Sequence, residues 1–189
     1  LMTNYGNDVT LDKGLFEKVK EVYDNCDRTT LSEAGEMLLN KSYKGFVRNG
    51  ALLNEEEKAK LRDLDQELSK LKLDFGNNVL KETQQFEKVI TDSSLLKGLP
   101  QNAIDAAKLE AEQRDVEGWV FTLDFPSYQA VLKYADDRDF RQEMHLAFNS
   151  KAFKGDELDN KEIVLKIAKA RNRRAQLLGY KSHANFVLE

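Results

Sequence analysis

Histidine is the commonest ligand of catalytic zinc and the side chain that titrates nearest neutrality. It occurs only twice in these 189 residues, at His145 and His183. A zinc peptidase helix needs two histidines four positions apart, so that both imidazoles face one metal, with a glutamate between them to activate water. No His-Glu-x-x-His occurs here. His145, among Glu143, Met144 and Leu146, reads as a helix-surface or core-edge residue. His183 reads as structural or surface-placed, although in a larger protein it could reach a ligand. The one cysteine, Cys26, lies between Asp24 and Asp27, whose negative charge disfavours a nucleophilic thiolate. The ten glycines contain neither Gly-x-Gly-x-x-Gly nor a phosphate-binding loop, which sets a nucleotide cradle aside. No catalytic, cofactor-binding or metal-binding position is expected within this chain.

The charge clusters read mostly as helix chemistry. Glu55, Glu56 and Glu57 open a helix, where carboxylates favour the positive end of the dipole. Asp136, Asp137 and Asp139 stand before a helix that includes Phe140, and Asp139 is an acid or base only if a partner faces it. Arg171, Arg173 and Arg174 have the right chemistry to clamp a peptide carboxylate bidentately; a solvated helix face, or salt bridges to Glu162 and its neighbours, is the plainer reading. Trp119 and Phe121 read as core rather than as a ligand platform. Asn40-Lys41-Ser42 fits a glycosylation acceptor but falls inside an expected helix, and it is set aside.

The elements that would position these residues are mainly helical. Hydrophobic residues make up 41% and charged residues 33% of the chain, with only Pro100 and Pro126 to interrupt helices. The net charge of −4 comes from intermixed charges, which argues against a nucleic-acid partner. No apolar run approaches the ~20 residues of a membrane helix, and a single cysteine suits a reducing, cytoplasmic compartment. Residues 1–11 read as a loop or a strapped-down tail. Leu15, Val19 and Val22 mark a short helix ending near Asp24. A second helix is expected from an N-cap at Thr30, with Glu33 completing a capping box, on a stripe that includes Leu31, Leu38, Tyr43 and Phe46. Asn54 with Glu57 makes another capping box, opening a helix of heptad-spaced Leu61, Leu64, Leu68, Leu71 and Phe75. The two are expected to pair as a long antiparallel hairpin. Phe86–Thr91 and Trp119–Leu123 read as strands, with their pairing left open. Between them Pro100 begins a helix reaching about Gln113. Helices follow over 128–134, 140–148 and 162–178, the last with Asn160 as a possible cap. The fold class is a mainly α, single helical lobe over 1–189, with a minor two-strand element. Its parts are helices over 1–85, strand-helix-strand over 86–124 and helices over 125–189.

Several stretches carry a family resemblance through their order and spacing. Asp159-Asn160 leads through Glu162–Arg174 to Ala175-Gln176-Leu177-Leu178-Gly179-Tyr180. Upstream stand Phe46-Val47-Arg48-Asn49-Gly50-Ala51-Leu52-Leu53 and Glu55-Glu56-Glu57-Lys58. Phe75, Asn78-Val79-Leu80, Glu82-Thr83 and Gly98-Leu99-Pro100 follow, then Gly118-Trp119-Val120-Phe121-Thr122-Leu123, Pro126-Ser127-Tyr128 and Tyr134-Ala135-Asp136. Together they resemble the thimet oligopeptidase and peptidyl-dipeptidase family of zinc metallopeptidases, most of all its peptidyl-dipeptidase branch.

The resemblance implies a mostly helical protein with two lobes flanking a deep channel, hydrolysing short peptides. Zinc in the parent enzyme would be bound by two histidines and a glutamate, with the motif's middle glutamate activating the metal-bound water. None of those residues has a counterpart here. The expectation is an internal fragment, beginning at Leu1 rather than at a methionine, that walls the channel, needs the remaining lobe of the same polypeptide and is inactive alone. Release of C-terminal dipeptides is the activity the branch implies. The alternative is a self-contained helical interaction module that grips a partner helix with its hairpin.

Overall fold

The computed structural model describes residues 2–189 and is mainly α-helical, as composition and periodicity predict. Among the described residues nine α-helices and two short strands follow in the order α1 (Met2–Thr10), α2 (Lys13–Asn25), α3 (Glu33–Arg48), α4 (Glu55–Gln85), β1 (Lys88–Ile90), α5 (Gln101–Gln113), β2 (Trp119–Phe121), α6 (Phe125–Tyr134), α7 (Arg138–Asn149), α8 (Lys161–Leu177) and α9 (His183–Leu188). The chain divides into two compact units. One holds the residues up to Leu73 together with Val164–Glu189, and the other holds Asp74–Ile163.

In the first unit the opening segment is a helix rather than the expected loop; Leu1 lies outside the described residues. The apolar Met2 and Tyr5 of α1 are well exposed, so no apolar stripe announces this helix. It is held instead by a polar ladder onto α4: Thr3 to Ser69 at 2.9 Å, Gln66 to Asn4 at 3.2 Å and Arg62 to Asp8 at 2.6 Å. α2 is capped by Asp12, which accepts from the Leu15 N–H, and ends at Asn25. The cap of α3 is Ser32, not Thr30, because Thr30 closes a 3-10 turn over Arg28–Thr30 that Asp27 caps.

The ring contacts of α3 run to α2, with Tyr43 stacked on Tyr23 at 3.9 Å and near Phe16 at 6.0 Å. α3 and α4 meet at their connecting turn, where Leu61, 1% exposed, closes against Gly50. The side-chain bonds of α4 here run to α1 and, through Glu67 and Asp65, to α8. The expected hairpin is thus shared among α2, α1 and α8. The capping box that starts α4 forms as read: the Glu57 N–H donates to Asn54 Oδ1 at 2.9 Å, and the Asn54 N–H donates to Glu57 Oε2 at 3.2 Å. At ~1.5 Å per residue its 31 residues span about 46 Å.

In the second unit β1 and β2 pair antiparallel, with Lys88 opposite Phe121, Val89 opposite Val120 and Ile90 opposite Trp119. Both strands are shorter than expected. Pro100 occupies the N-cap of α5, which ends at Gln113 as predicted. α5 packs on β2 and α6 on α7, around a core of Ile90, Phe121, Leu123, Val131, Phe140 and Met144. Phe121 meets Phe140 edge-on at 5.2 Å. Asn160 does not cap α8: Asp159 accepts from the Lys161 N–H at 2.8 Å, while the Asn160 side chain turns inward.

Candidate functional site

The side chains singled out for chemistry do not converge. His145 lies exposed on α7 in the second unit, with its Nδ1 3.2 Å from the Asn149 amide nitrogen four residues on. His183 opens α9 in the first unit, its ring 6.3 Å from that of Phe186. Among the described residues no group of three or more His, Cys, Asp or Glu is placed to hold a metal ion. The residues here do not fit a zinc centre.

The remaining candidates are absorbed by structure. Cys26 has a free thiol 3.8 Å from the Asp27 carbonyl. Asp137 caps α7 by accepting from the Phe140 N–H at 2.6 Å; Asp139 is exposed in the first turn. Glu55 pairs with Lys58 and Glu56 with Lys60. Asn40, within α3, accepts from Arg28 at 3.1 Å. Of the arginine group, Arg173 grips Glu67 through both carboxylate oxygens at 2.9 and 2.8 Å, and Arg174 reaches Asp65 at 2.6 Å. Arg171 is exposed. Two of the three guanidiniums expected as a possible carboxylate clamp are thus committed to α4 within the first unit. Trp119 is half-buried with the Lys108 ammonium 5.8 Å from its ring centroid, and Phe121 is core.

What the sequence reading missed is a groove in the second unit, between α5 and α6 above β2, with a volume of about 460 Å³. Its walls include Ala103 and Ala106 from α5 and Ala130 from α6, and its floor includes Val120 and Phe121. Alanines at these positions leave open the space that larger side chains would fill. The turn from β2 into α6 is fixed by polar bonds: the Thr122 N–H donates to Ser127 Oγ at 3.0 Å and the Thr122 hydroxyl to Asp124 Oδ2 at 3.2 Å. The groove holds no nucleophile–base pair, since the Ser127 hydroxyl oxygen is taken by a backbone N–H and no histidine lines it. Periodicity could not disclose it, because alanine counts as apolar in a helix pattern whether it packs or lines a cleft.

Nearby, Lys151 lies 3.6 Å from the Phe148 ring centroid, and Phe148 stacks on Tyr128 at 3.9 Å. Burial pulls the Lys151 ammonium below its ordinary value, partly opposed by the charges of Asp124 and Glu82.

Comparison with known proteins follows the same lines as the residue pattern. The sequence model of Peptidase family M3 matches residues 131–189. Oligopeptidase A of Escherichia coli K12 is 31% identical over 188 residues, 97% of this chain and 28% of that protein. The probable cytosolic oligopeptidase A of Arabidopsis thaliana is 36% identical over 179 residues, 91% of this chain and 25% of the relative. Dipeptidyl carboxypeptidase of Salmonella typhimurium is 30% identical over 179 residues, 94% of this chain and 26% of the relative. The chain spans about a quarter of the length of these curated relatives.

Proposed function

Because this chain is homologous, along nearly its whole length, to the thimet oligopeptidase and peptidyl-dipeptidase family, Peptidase family M3, we propose that it is a helical, non-catalytic segment of a zinc-dependent peptidase that hydrolyses short peptides. The observation that carries this is the alignment with oligopeptidase A over 97% of the chain, in a sequence with no His-Glu-x-x-His. The metal and the water-activating glutamate belong, on this reading, to a part of the polypeptide outside these residues.

This segment's own work is mechanical. It walls a channel that admits flexible peptides and excludes folded proteins, and it is inactive without the remaining lobe. No helix among the described residues is long and apolar enough to cross a membrane. A cytoplasmic setting is proposed from the single cysteine and from the Arabidopsis relative, whose name places it in the cytosol.

Release of C-terminal dipeptides is the finer form of the proposal, matching the name of the dipeptidyl carboxypeptidase. Identities of 31% and 36% to the two oligopeptidases A, against 30%, favour cleavage within oligopeptides as a second reading. The test uses the purified 189-residue chain and the longer product of its source gene, assayed on an internally quenched peptide with and without a zinc chelator. The chain alone should be silent, and the longer product should carry His-Glu-x-x-His and cleave until the chelator is added. Chelator-sensitive turnover by the chain alone, or a reading frame without that motif, would sink the proposal.

A further inference from the structure

The groove between α5 and α6 has polar features at its two ends as well as an apolar floor. Asp124 and Lys133 both line it, at opposite ends of α6. Nine positions at ~1.5 Å per residue separate their backbones by about 13 Å along the helix axis. Neither forms a salt bridge among the described residues. Asp124 stands at the N-cap of α6 yet makes no capping bond with its side chain. Among the described residues its carboxylate accepts from the Thr122 hydroxyl, and its charge partly opposes the effect of burial on Lys151. The Lys133 ammonium lies 5.0 Å from the Tyr134 ring centroid and has no carboxylate partner among the described residues. Between the two ends the groove offers the amides of Asn102 and Gln129.

We infer that this groove docks a short extended peptide, its amino terminus at Asp124 and its carboxylate at Lys133. Three properties point to that ligand. A volume of about 460 Å³ falls within the ~300–1,000 Å³ of small-ligand sites. Glu110 also lines the groove but is paired with Arg114 at 2.7 Å, so the charges left are those of a zwitterion read end to end, negative at Asp124 and positive at Lys133. The span sets the length: an extended chain advances about 3.3–3.6 Å per residue, so ~13 Å holds about four residues. A dipeptide bridges too little of it. Alanine walls admit side chains of any type, so the site selects for length and free ends rather than for sequence. Lacking catalytic groups, it is a holding site for substrate or product. The proposed peptidase function enters only in the choice of a peptide as the ligand.

The experiment is an amide NMR titration of the 189-residue chain with tetra-alanine, read as binding without turnover. Shifts should cluster at Ala103, Ala106, Thr122 and Ala130. Dialanine, and tetra-alanine with both ends capped, should bind more weakly. Asp124→Asn and Lys133→Gln should each weaken the uncapped peptide about three-fold, the scale of one partly exposed charge pair. Circular dichroism checks that each variant folds. Shifts centred elsewhere, or equal affinity for free and capped tetra-alanine, would overturn the inference. Because no cleavage is measured, this failure is distinct from failure of the peptidase reading, which the chelator assay decides alone.

Discussion

Asn78 and Asn160 stand side chain to side chain across 82 positions of sequence, the Asn78 amide nitrogen donating to Asn160 Oδ1 at 3.0 Å. Asn160 is 2% exposed, and its own amide nitrogen donates to the Phe75 carbonyl at 3.1 Å. Its backbone N–H donates to the Ala152 carbonyl at 2.8 Å, and the Ala152 N–H in turn donates to the buried carboxylate of Glu82. Within the second unit, the loop before α8 is therefore fastened to α4 by buried polar bonds rather than by apolar packing.

Asn160→Ala should accordingly cost about 2 kcal/mol, since it strands Asn78 and leaves a buried polar pocket unpaired. Urea unfolding is the measurement: the midpoint should fall while the denaturant slope stays constant. A change below about 0.5 kcal/mol would mean that water replaces the side chain without loss.

Two glycines separate backbone strain from steric approach. Gly118 and Gly155 both have positive φ, +102° and +79°. A Cβ on Gly118 would stand 2.2 Å from the Ile90 carbonyl oxygen, whereas one on Gly155 meets nothing within 4 Å. Gly155→Ala should cost about 1 kcal/mol, the conformational penalty alone. Gly118→Ala should cost at least ~2 kcal/mol more, because the strand pair must part at Ile90. Equal thermal shifts for the two variants would contradict this.

Asp159 gives the chain an acid-sensitive hold on its α8 start. Its carboxyl is held below the ordinary value of 3.8, chiefly by the Lys161 N–H and then by the Gly155 N–H. The depressed folded pKa means the unfolded chain binds the proton more readily. The stabilisation is therefore complete above the ordinary value and disappears as pH falls through the folded one. Urea midpoints of wild type and Asp159→Asn should differ by a constant amount above about pH 5 and converge below 3.8. A difference that grows on acidification would reverse the sign and refute the assignment.

How far the sequence discloses this molecule depends on which interaction forms each part. The Asn54–Glu57 box, Pro100 and the heptad leucines rest on local geometry, and the corresponding helix starts form where predicted. The α1 helix escapes because Thr3, Asn4 and Asp8 act through partners more than fifty residues away. Asn160 reads locally as a cap, but a tertiary contact to Phe75 claims its side chain while Asp159 takes the cap. The groove is invisible for a related reason: Ala103, Ala106 and Ala130 become a cleft only once β2 sets two helices apart.

The arginine group of α8 supplies a last discrimination, between a ligand clamp and a structural brace. Arg174 and Asp65 are mostly buried, with side chains 18% and 14% exposed, and the guanidinium also lies 5.4 Å from the Phe186 ring centroid. Removing it leaves Asp65 as a poorly solvated charge, so Arg174→Ala should cost about 2 kcal/mol, between the values for exposed and fully buried pairs. Arg173, with a side chain 55% exposed, pairs with Glu67 in both carboxylate oxygens and should matter less, under about 1 kcal/mol. Arg171 is exposed and makes no ion pair among the described residues, so Arg171→Ala should be neutral within ~0.5 kcal/mol. A clamp for peptide carboxylates would give another order, with all three variants near wild type in stability and each weakening acetate or peptide binding. Thermal denaturation of the three alanine variants distinguishes the orders directly, and a brace requires Arg174 to stand well apart from Arg171.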